Sequence, residues 1–350
     1  MSSPPVAGGA IAFPDLSVST APPPAAPARD DEGQAPARTG DRLLSGESAP
    51  SGISAANADD RVPAAERLTV IEPSRGWASL DLGEVWRYRD LFLTMVWRDI
   101  SARYRQSLVG IGWVVVKPIV SMVIFAFIFG RVAGIKSDGT PYPLFAFTAL
   151  LPWMYFSGAL SSATMSVVST GSLLKKVYFP RLLLPLIGIT VSLIELLIQL
   201  VILAVLIAGY HLAAPIGADG AVWRFDLSPR LLMAPALVLI CMATALAVGL
   251  WLTALNVKYR DIGQAVPFLT QAWMWLSPIV YPSSLVPEHL RMVYGLNPMV
   301  GVIEGFRWSL LGSPAPDWTM VIVSGVVVVA LLVSGLFFFQ RTEASFADVI

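Results

Sequence analysis

An all-α integral membrane protein with six transmembrane helices is the fold class this sequence predicts, and three observations predict it. Hydrophobic residues make up 55% of the 350 and charged residues 14%, whereas about a quarter of a soluble domain is charged. Mean hydropathy is +0.66. After residue 112, six stretches approach or exceed the roughly 20 apolar residues that carry a helix across a ~30 Å hydrocarbon core. So few charges could not coat a soluble particle of this size. The single Cys241 excludes an intramolecular disulfide and any zinc site that needs two thiolates, and two histidines, His211 and His289, are too few for a metal cluster. No catalytic or metal-binding residue is therefore expected. The net charge of zero gives no overall pull toward nucleic acid.

Residues 1–75 hold 11 of the 27 prolines, with 10 acidic and 6 basic residues and no helical or strand period. A segment of that kind cannot bury enough apolar surface to offset chain entropy and is expected to be a disordered Pro/Ala-rich cytoplasmic tail. It lacks the basic start and apolar stretch of a signal peptide. Its charge of −4 leaves +4 for residues 76–350.

Residues 76–112 are expected to form a cytoplasmic amphipathic helix lying in the interface. Phe92, Met95, Val96 and Ile100 share one side, and Asp90, Thr94, Arg98, Ser101 and Arg105 the other. Two readings stand for it. One is a plain anchor on cytoplasmic headgroups; the other brings Arg98, Arg103 and Arg105 to the phosphates of a lipid-linked substrate.

The membrane region is expected over 113–341. Span one covers about 113–132, with Lys117 one turn inside it. Span two covers 144–168 and is broken by Pro152. Span three covers 182–208, span four 231–255, and span five 266–281, with Pro267 at its first position. Span six covers 318–339 without a charge. Between spans five and six, the apolar patches 292–296 and 299–303 are too short to cross and read as short re-entrant helices. Residues 342–350 form a cytoplasmic C-terminal tail. Eleven Lys and Arg fall on one side of these spans (Arg87 to Arg105, Lys175, Lys176, Arg181, Lys258, Arg260, Arg341) and six on the other, which places both termini inside.

Three features stand out from a generic membrane protein. Leu174-Lys175-Lys176-Val177-Tyr178-Phe179-Pro180-Arg181 is a short loop whose charges the positive-inside rule explains, but whose clustered Val177, Tyr178 and Phe179 suggest docking on another protein. Lys258-Tyr259-Arg260-Asp261 is a second basic-aromatic cytoplasmic turn. Glu195, in mid-span, shares a stripe with Ser192 and Gln199; it serves either as a hydrogen-bonded packing stripe or as a pore-lining or proton-carrying group. Trp273, Trp275 and Tyr281 fit an interface belt, and a glycan path in which aromatic faces stack on sugar rings is compatible with them. Gly130-x-x-x-Gly134 and Gly301-x-x-x-Gly305 permit close helix approach. No lysine follows a glycine, so no phosphate-binding P-loop exists in this chain. If ATP powers the protein, another chain must bind it.

Five motifs in order carry a family resemblance: Arg103-Tyr104-Arg105 running to Trp113 with Lys117-Pro118; Leu174 to Arg181; Asn256 to Asp261; Leu276-Ser-Pro-Ile-Val-Tyr-Pro282; and Asn297-Pro298 with Glu304-Gly-Phe-Arg307. Together they resemble the permease subunits of type-2 ATP-binding cassette exporters that move O-antigen, capsule and teichoic-acid polysaccharides. The resemblance implies a homodimer in the bacterial inner membrane, two copies of a separate cytoplasmic ATPase that carries ATP and Mg, and a lipid-linked polysaccharide as cargo. It places Leu174–Arg181 at the ATPase-coupling element, the arginines around Arg103 at the cytoplasmic mouth, and Pro282, Asn297, Pro298, Glu304 and Arg307 in an outer gate. Two other classes remain open: the same architecture exporting a drug or small lipid, and a proton-coupled secondary transporter built on Glu195. A membrane-embedded glycosyltransferase lacks a visible acidic cluster.

Overall fold

The structure is a computed structural model that describes residues 82–105, 110–171, 178–213, 223, 225 and 228–349. The proline-rich segment 1–75 and the loop residues Leu174, Lys175, Lys176 and Val177 lie outside the described residues. No strand occurs among the described residues.

Two helices precede the membrane region, α1 (Leu82–Arg87) and α2 (Arg89–Arg105). Helix α3 (Gly110–Phe125) continues as a π-helical stretch over Ala126–Val132. Helices α4 (Tyr142–Ser169), α5 (Leu183–Ala213) and α6 (Ala234–Lys258) follow, the last preceded by a 3-10 turn at Pro229–Met233. Then come α7 (Asp261–Trp275), the single-turn α8 (Arg291–Tyr294), α9 (Pro298–Leu311) and the long α10 (Trp318–Val349). Five segments are long and apolar enough to cross a membrane: Gly112–Val132, Tyr142–Ser169, Leu183–Ala213, Pro229–Lys258 and Trp318–Glu343.

Helix α4 is the centre of the bundle. Its most apolar window is 78% buried, against 11% for the first span, because it is apolar on every face and other helices cover all of them. Helix α5 packs antiparallel to it, with Gly188 so close to the Ser162 backbone that a Cβ would sit 2.9 Å away. Helix α6 runs parallel to α4, and polar side chains cross the contact: Thr253 Oγ1 donates to Ala163 O (2.9 Å) and Asn256 Nδ2 to Thr164 O (3.0 Å). Pro152 does not break α4, contrary to expectation. Neighbours on both sides hold the helix through its missing N–H. Of the two glycine motifs, the second packs inside the chain, while in the first Gly130 meets Tyr142 and Gly134 has nothing within 4 Å. Gly301 abuts Ser324 of α10 and Gly305 abuts Leu237 of α6.

The fifth expected span differs from the sequence reading. Helix α7 starts at Asp261, so Pro267 lies inside it and not at its first position, and it ends at Trp275. Its 15 residues extend about 22 Å, short of a ~30 Å core. The Ser277-Pro278 step halts it, and residues 276–282 leave helical geometry. Helices α6 and α10 run parallel: Trp251 stacks on Phe338 at 4.4 Å, one turn beyond the contact of Gly335 with Ala247 O. The end of the bundle that carries Arg181, Lys258 and Arg341 is called the basic end below, and the opposite one the far end.

The apolar side of α2 also behaves differently from the expectation. Met95 and Val96 are buried against Phe179, Leu183 and Phe346, so that side faces protein, while Leu93 and Trp97 on another face are exposed. The C-terminal tail is not separate: α10 runs on to Val349 and buries Phe346 beside Phe339.

Candidate functional site

Three groups of the singled-out residues come together, at mid-bundle, at the basic end and at the far end.

At mid-bundle, Glu195 lies twelve residues into α5, about 18 Å from its start. An isolated carboxylate at such depth is costly. Arg103 from α2 relieves the cost, its Nη1 donating to Glu195 Oε1 at 2.8 Å while its Nη2 reaches Ser162 Oγ at 3.5 Å. Both side chains remain about one-third exposed. Tyr104 beside them has its hydroxyl buried. Burial pushes its phenol above the ordinary value and the Glu195 charge pushes it further, with Arg103 offsetting part. Glu195 and Gln199 line a cleft of about 460 Å³ together with Trp113, Lys117, Trp153 and Gln271. Gln199 Oε1 is buried there without a partner among the described residues. Ser192, the third member of the expected stripe, instead bonds its own helix at Gly188 O (3.0 Å). Gln271 was not foreseen; its only trace in the sequence is one amide in an otherwise apolar run.

Three aromatic channel candidates lie outside that lining. Trp273 packs edge-on against Phe156 (5.3 Å) and Trp153 (6.5 Å). Trp275 is half-exposed beside Phe125 and Phe129, and Tyr281 Oη meets Tyr294 Oη at 3.1 Å.

At the basic end, Tyr178 is exposed but Phe179 is buried. The expected exposed aromatic cluster is therefore corrected: Phe179 packs into the core formed by α2, α4, α5, α6 and α10. Pro180 is half-buried. Arg181 is fastened to the end of α10, its N–H donating to Glu343 Oε1 (3.3 Å), its guanidinium donating to Glu343 O and lying over the Phe346 ring. In the second turn, Lys258 lies over the exposed Tyr259 ring, and Arg260 and Asp261 are exposed. Asp261 opens α7, where a carboxylate suits the helix dipole. Asn256 holds this turn, accepting from Gly263 N (2.8 Å) while donating to α4. Arg98 pairs with Asp99 at 2.8 Å and Arg105 is exposed.

At the far end, Asn297 caps α9 by accepting from Met299 N, and Pro298 fills the first helical position. Arg307 is 2% exposed. It donates to Glu304 (3.1 Å) and to Ile279 O (3.0 Å), and its guanidinium carbon sits 3.6 Å from the Phe145 ring centre. Burial pulls its pKa below the ordinary value, and the Glu304 charge opposes that shift. Arg307, Glu304 and Pro282 line a polar cavity of about 320 Å³ with Arg291, Asp138 and Asp317. Tyr142, unnoticed in the sequence, closes the same region by donating to Val280 O at 2.6 Å.

Residues 90–311 match the family model described as ABC-2 type transporter. Over 269 residues the chain is 28% identical to the O-antigen export system permease protein RfbA of Myxococcus xanthus, covering 76% of this chain and 98% of that protein. Two Klebsiella pneumoniae proteins of the same name are 23% and 22% identical over 261 residues, each match covering 75% of this chain and 95% of the relative. A bundle of apolar helices, a polar cleft at its middle and a family match from α2 to the end of α9 give one conclusion: the chain belongs to the ABC-2 type transporter family, as the permease subunit of a type-2 ATP-binding cassette exporter.

Proposed function

We propose that this permease exports a lipid-linked polysaccharide, of the undecaprenyl-diphosphate type that carries O-antigen, from the cytoplasm across the bacterial inner membrane. It works as a homodimer with two copies of a cytoplasmic ATPase, which binds the ATP and Mg. The observation that carries this reading is the mid-bundle cleft. Lys117, Glu195, Gln199 and Gln271 share the lining of one open cleft with Trp113 and Trp153, the mixture a hydroxyl-rich, partly apolar sugar chain needs. A drug pocket would be closed and apolar. The three relatives named for O-antigen export support the same cargo.

The basic end is then cytoplasmic and the far end periplasmic, with both termini inside. Parallel packing of α6 and α10 supports a sixth crossing, because the chain must return between them. Helix α7 and the turn at 276–282 make that return, and α8 and α9 dip back from the far side. Leu174–Arg181 meets the ATPase, and Lys258–Asp261 forms a second cytoplasmic turn. Pro282, Asn297, Pro298, Glu304 and Arg307 form the outer gate. A proton-carrying role for Glu195 finds less support, since its carboxylate is engaged by Arg103.

Deleting the gene is the test. Surface polysaccharide is lost and lipid-linked glycan accumulates inside, and the wild-type gene restores export. Normal surface glycan together with new drug sensitivity overturns the reading in favour of drug export.

A further inference from the structure

The groove between α4 and α5 contains two cavities in series. Nearer the basic end, a cavity of about 200 Å³ is walled by Arg98 and Arg103 of α2, Ser162, Ser166 and Thr170 of α4's end and Gly188 of α5. Further along the same two helices lies the 460 Å³ cleft, which begins at Gly158 and Glu195. Arg103 belongs to the lining of the first and Glu195 to that of the second. The 2.8 Å ion pair between them therefore stands at the join, with Ser162 beside it.

We propose that the Arg103–Glu195 pair is a latch between these cavities, and that the diphosphate head of a lipid carrier opens it by taking Arg103. This deepens the lipid-linked reading given above and rests on it. The first cavity suits such a head. It offers the planar donor fork of Arg103, which matches phosphate oxygens in a bidentate way. Ser162 accepts from Arg103 and keeps its own proton to donate. Ser166 donates to Ala163 O in the latched state, and rotation of χ1 turns its hydroxyl into the cavity. Arg98 is held by Asp99, so Arg103 supplies the charge that the head competes for.

Charge also balances across the exchange. In the latched state the guanidinium of Arg103 and the carboxylate of Glu195 neutralise each other. Once phosphate holds Arg103, Glu195 remains in a cleft whose other wall carries Lys117, a second cation for the released carboxylate. The pair is only two-thirds covered, and half-exposed ion pairs contribute little net stability, so a doubly charged ligand can displace one. Opening the latch joins the two cavities, so arrival of the head and access to the polar-aromatic cleft become one event.

Binding to the full chain in phosphatidylcholine nanodiscs tests this, with undecaprenyl diphosphate and inorganic pyrophosphate as separate probes. Because Glu195 competes with the ligand, Glu195→Gln should bind the lipid about tenfold tighter than wild type, while Arg103→Gln should bind at least tenfold weaker. Arg103→Lys, which keeps the charge and loses the fork, falls between them and separates recognition from folding. Lys117→Gln should weaken binding severalfold in the wild-type background and leave it unchanged beside Glu195→Gln, a non-additivity that a packing role does not produce. Binding that depends on Arg103 but is not tightened by Glu195→Gln overturns the latch and leaves the substrate reading intact. No binding of the lipid by wild type overturns both. Pyrophosphate that follows the same order of variants with lower affinity supports recognition of the head. Pyrophosphate that binds as tightly as the lipid assigns the cavity to a free anion and removes the lipid carrier from the proposal.

Discussion

Trp273 Nε1 donates to Asn297 Oδ1 at 2.9 Å, joining the last turn of α7 to the first turn of α9. The same Asn297 oxygen accepts from Met299 N, and its amide nitrogen donates to Leu276 O (3.1 Å) and Ser277 Oγ (3.0 Å). One side chain thus satisfies the groups left open where α7 stops and α9 begins, which is where the chain turns back at the far end. Trp273 is held there by its indole N–H and by edge contacts with Trp153 and Phe156, so the turn is also tied to the wall of the mid-bundle cleft.

Replacing Asn297 by Ala removes the α9 cap, at about 1 kcal/mol, and strands the part-buried indole N–H of Trp273, at about 1–3 kcal/mol. A clear fall in melting temperature in detergent is expected. Asn297→Asp keeps the cap and the indole contact but loses the amide donors, and should fall between the two proteins.

Arg307→Met should destabilise by about 3–5 kcal/mol, because it leaves the Glu304 carboxylate without its counter-ion in a buried site. Glu304→Gln with Arg307→Met should recover part of the loss. Additive losses in that double variant, measured by thermal melting, would show that the two residues do not act as a pair.

Tyr294 provides a pH signature. Burial raises its phenol well above the ordinary 10, and the hydrogen bond and charge of Tyr281 raise it further. A raised folded-state value means that its stability contribution is complete below pH 10 and is lost as pH climbs above it. Melting temperature should therefore drop from about pH 10 upward, and Tyr294→Phe should flatten that drop.

Tyr178 and Phe179 are neighbours with opposite expected phenotypes. Phe179→Ala opens a cavity in the basic-end core and should cost about 3–5 kcal/mol, seen as reduced membrane yield. Tyr178→Ala, at an exposed position, should leave yield unchanged and reduce export if this loop meets the ATPase. Equal loss of yield in both variants would remove the distinction.

Truncation after Thr342 should loosen the same loop. It deletes Glu343 and Phe346, the anchors of Arg181. Faster proteolysis of the loop before Arg181 in the truncated chain is the expected outcome, and an unchanged rate would show that Phe179 alone suffices to hold it.

Most of the bundle was legible in the sequence because transfer into lipid is a local property. Twenty apolar residues in a row report a crossing without any knowledge of neighbours, and the five long spans lie where composition put them. The motif Asn297-Pro298 was readable for a similar reason, since capping is decided within three residues. What escaped depended on contacts between distant positions. Gln271 gained significance only through the cleft it shares with Glu195. Phe179 looked exposed because its loop is short and basic, yet it belongs to a buried cluster to which five helices contribute. Pro267 looked like a helix start, but Asp261 opens the helix six residues earlier at a turn that Asn256 secures from the preceding helix.

The sequence by itself determined that this is a helical membrane protein in which no lysine follows a glycine, with eleven Lys and Arg against six on the two sides of its expected spans and with charges scarce within the spans. Hydration free energy and phosphate chemistry are enough for those statements. Only the tertiary structure decided that Arg103 meets Glu195 across 92 positions, that Arg307 is buried against Phe145, and that the last helix clasps Arg181. A charge at membrane depth must find a partner, but its partner is chosen by which helices pack together, and that choice is a property of the whole bundle.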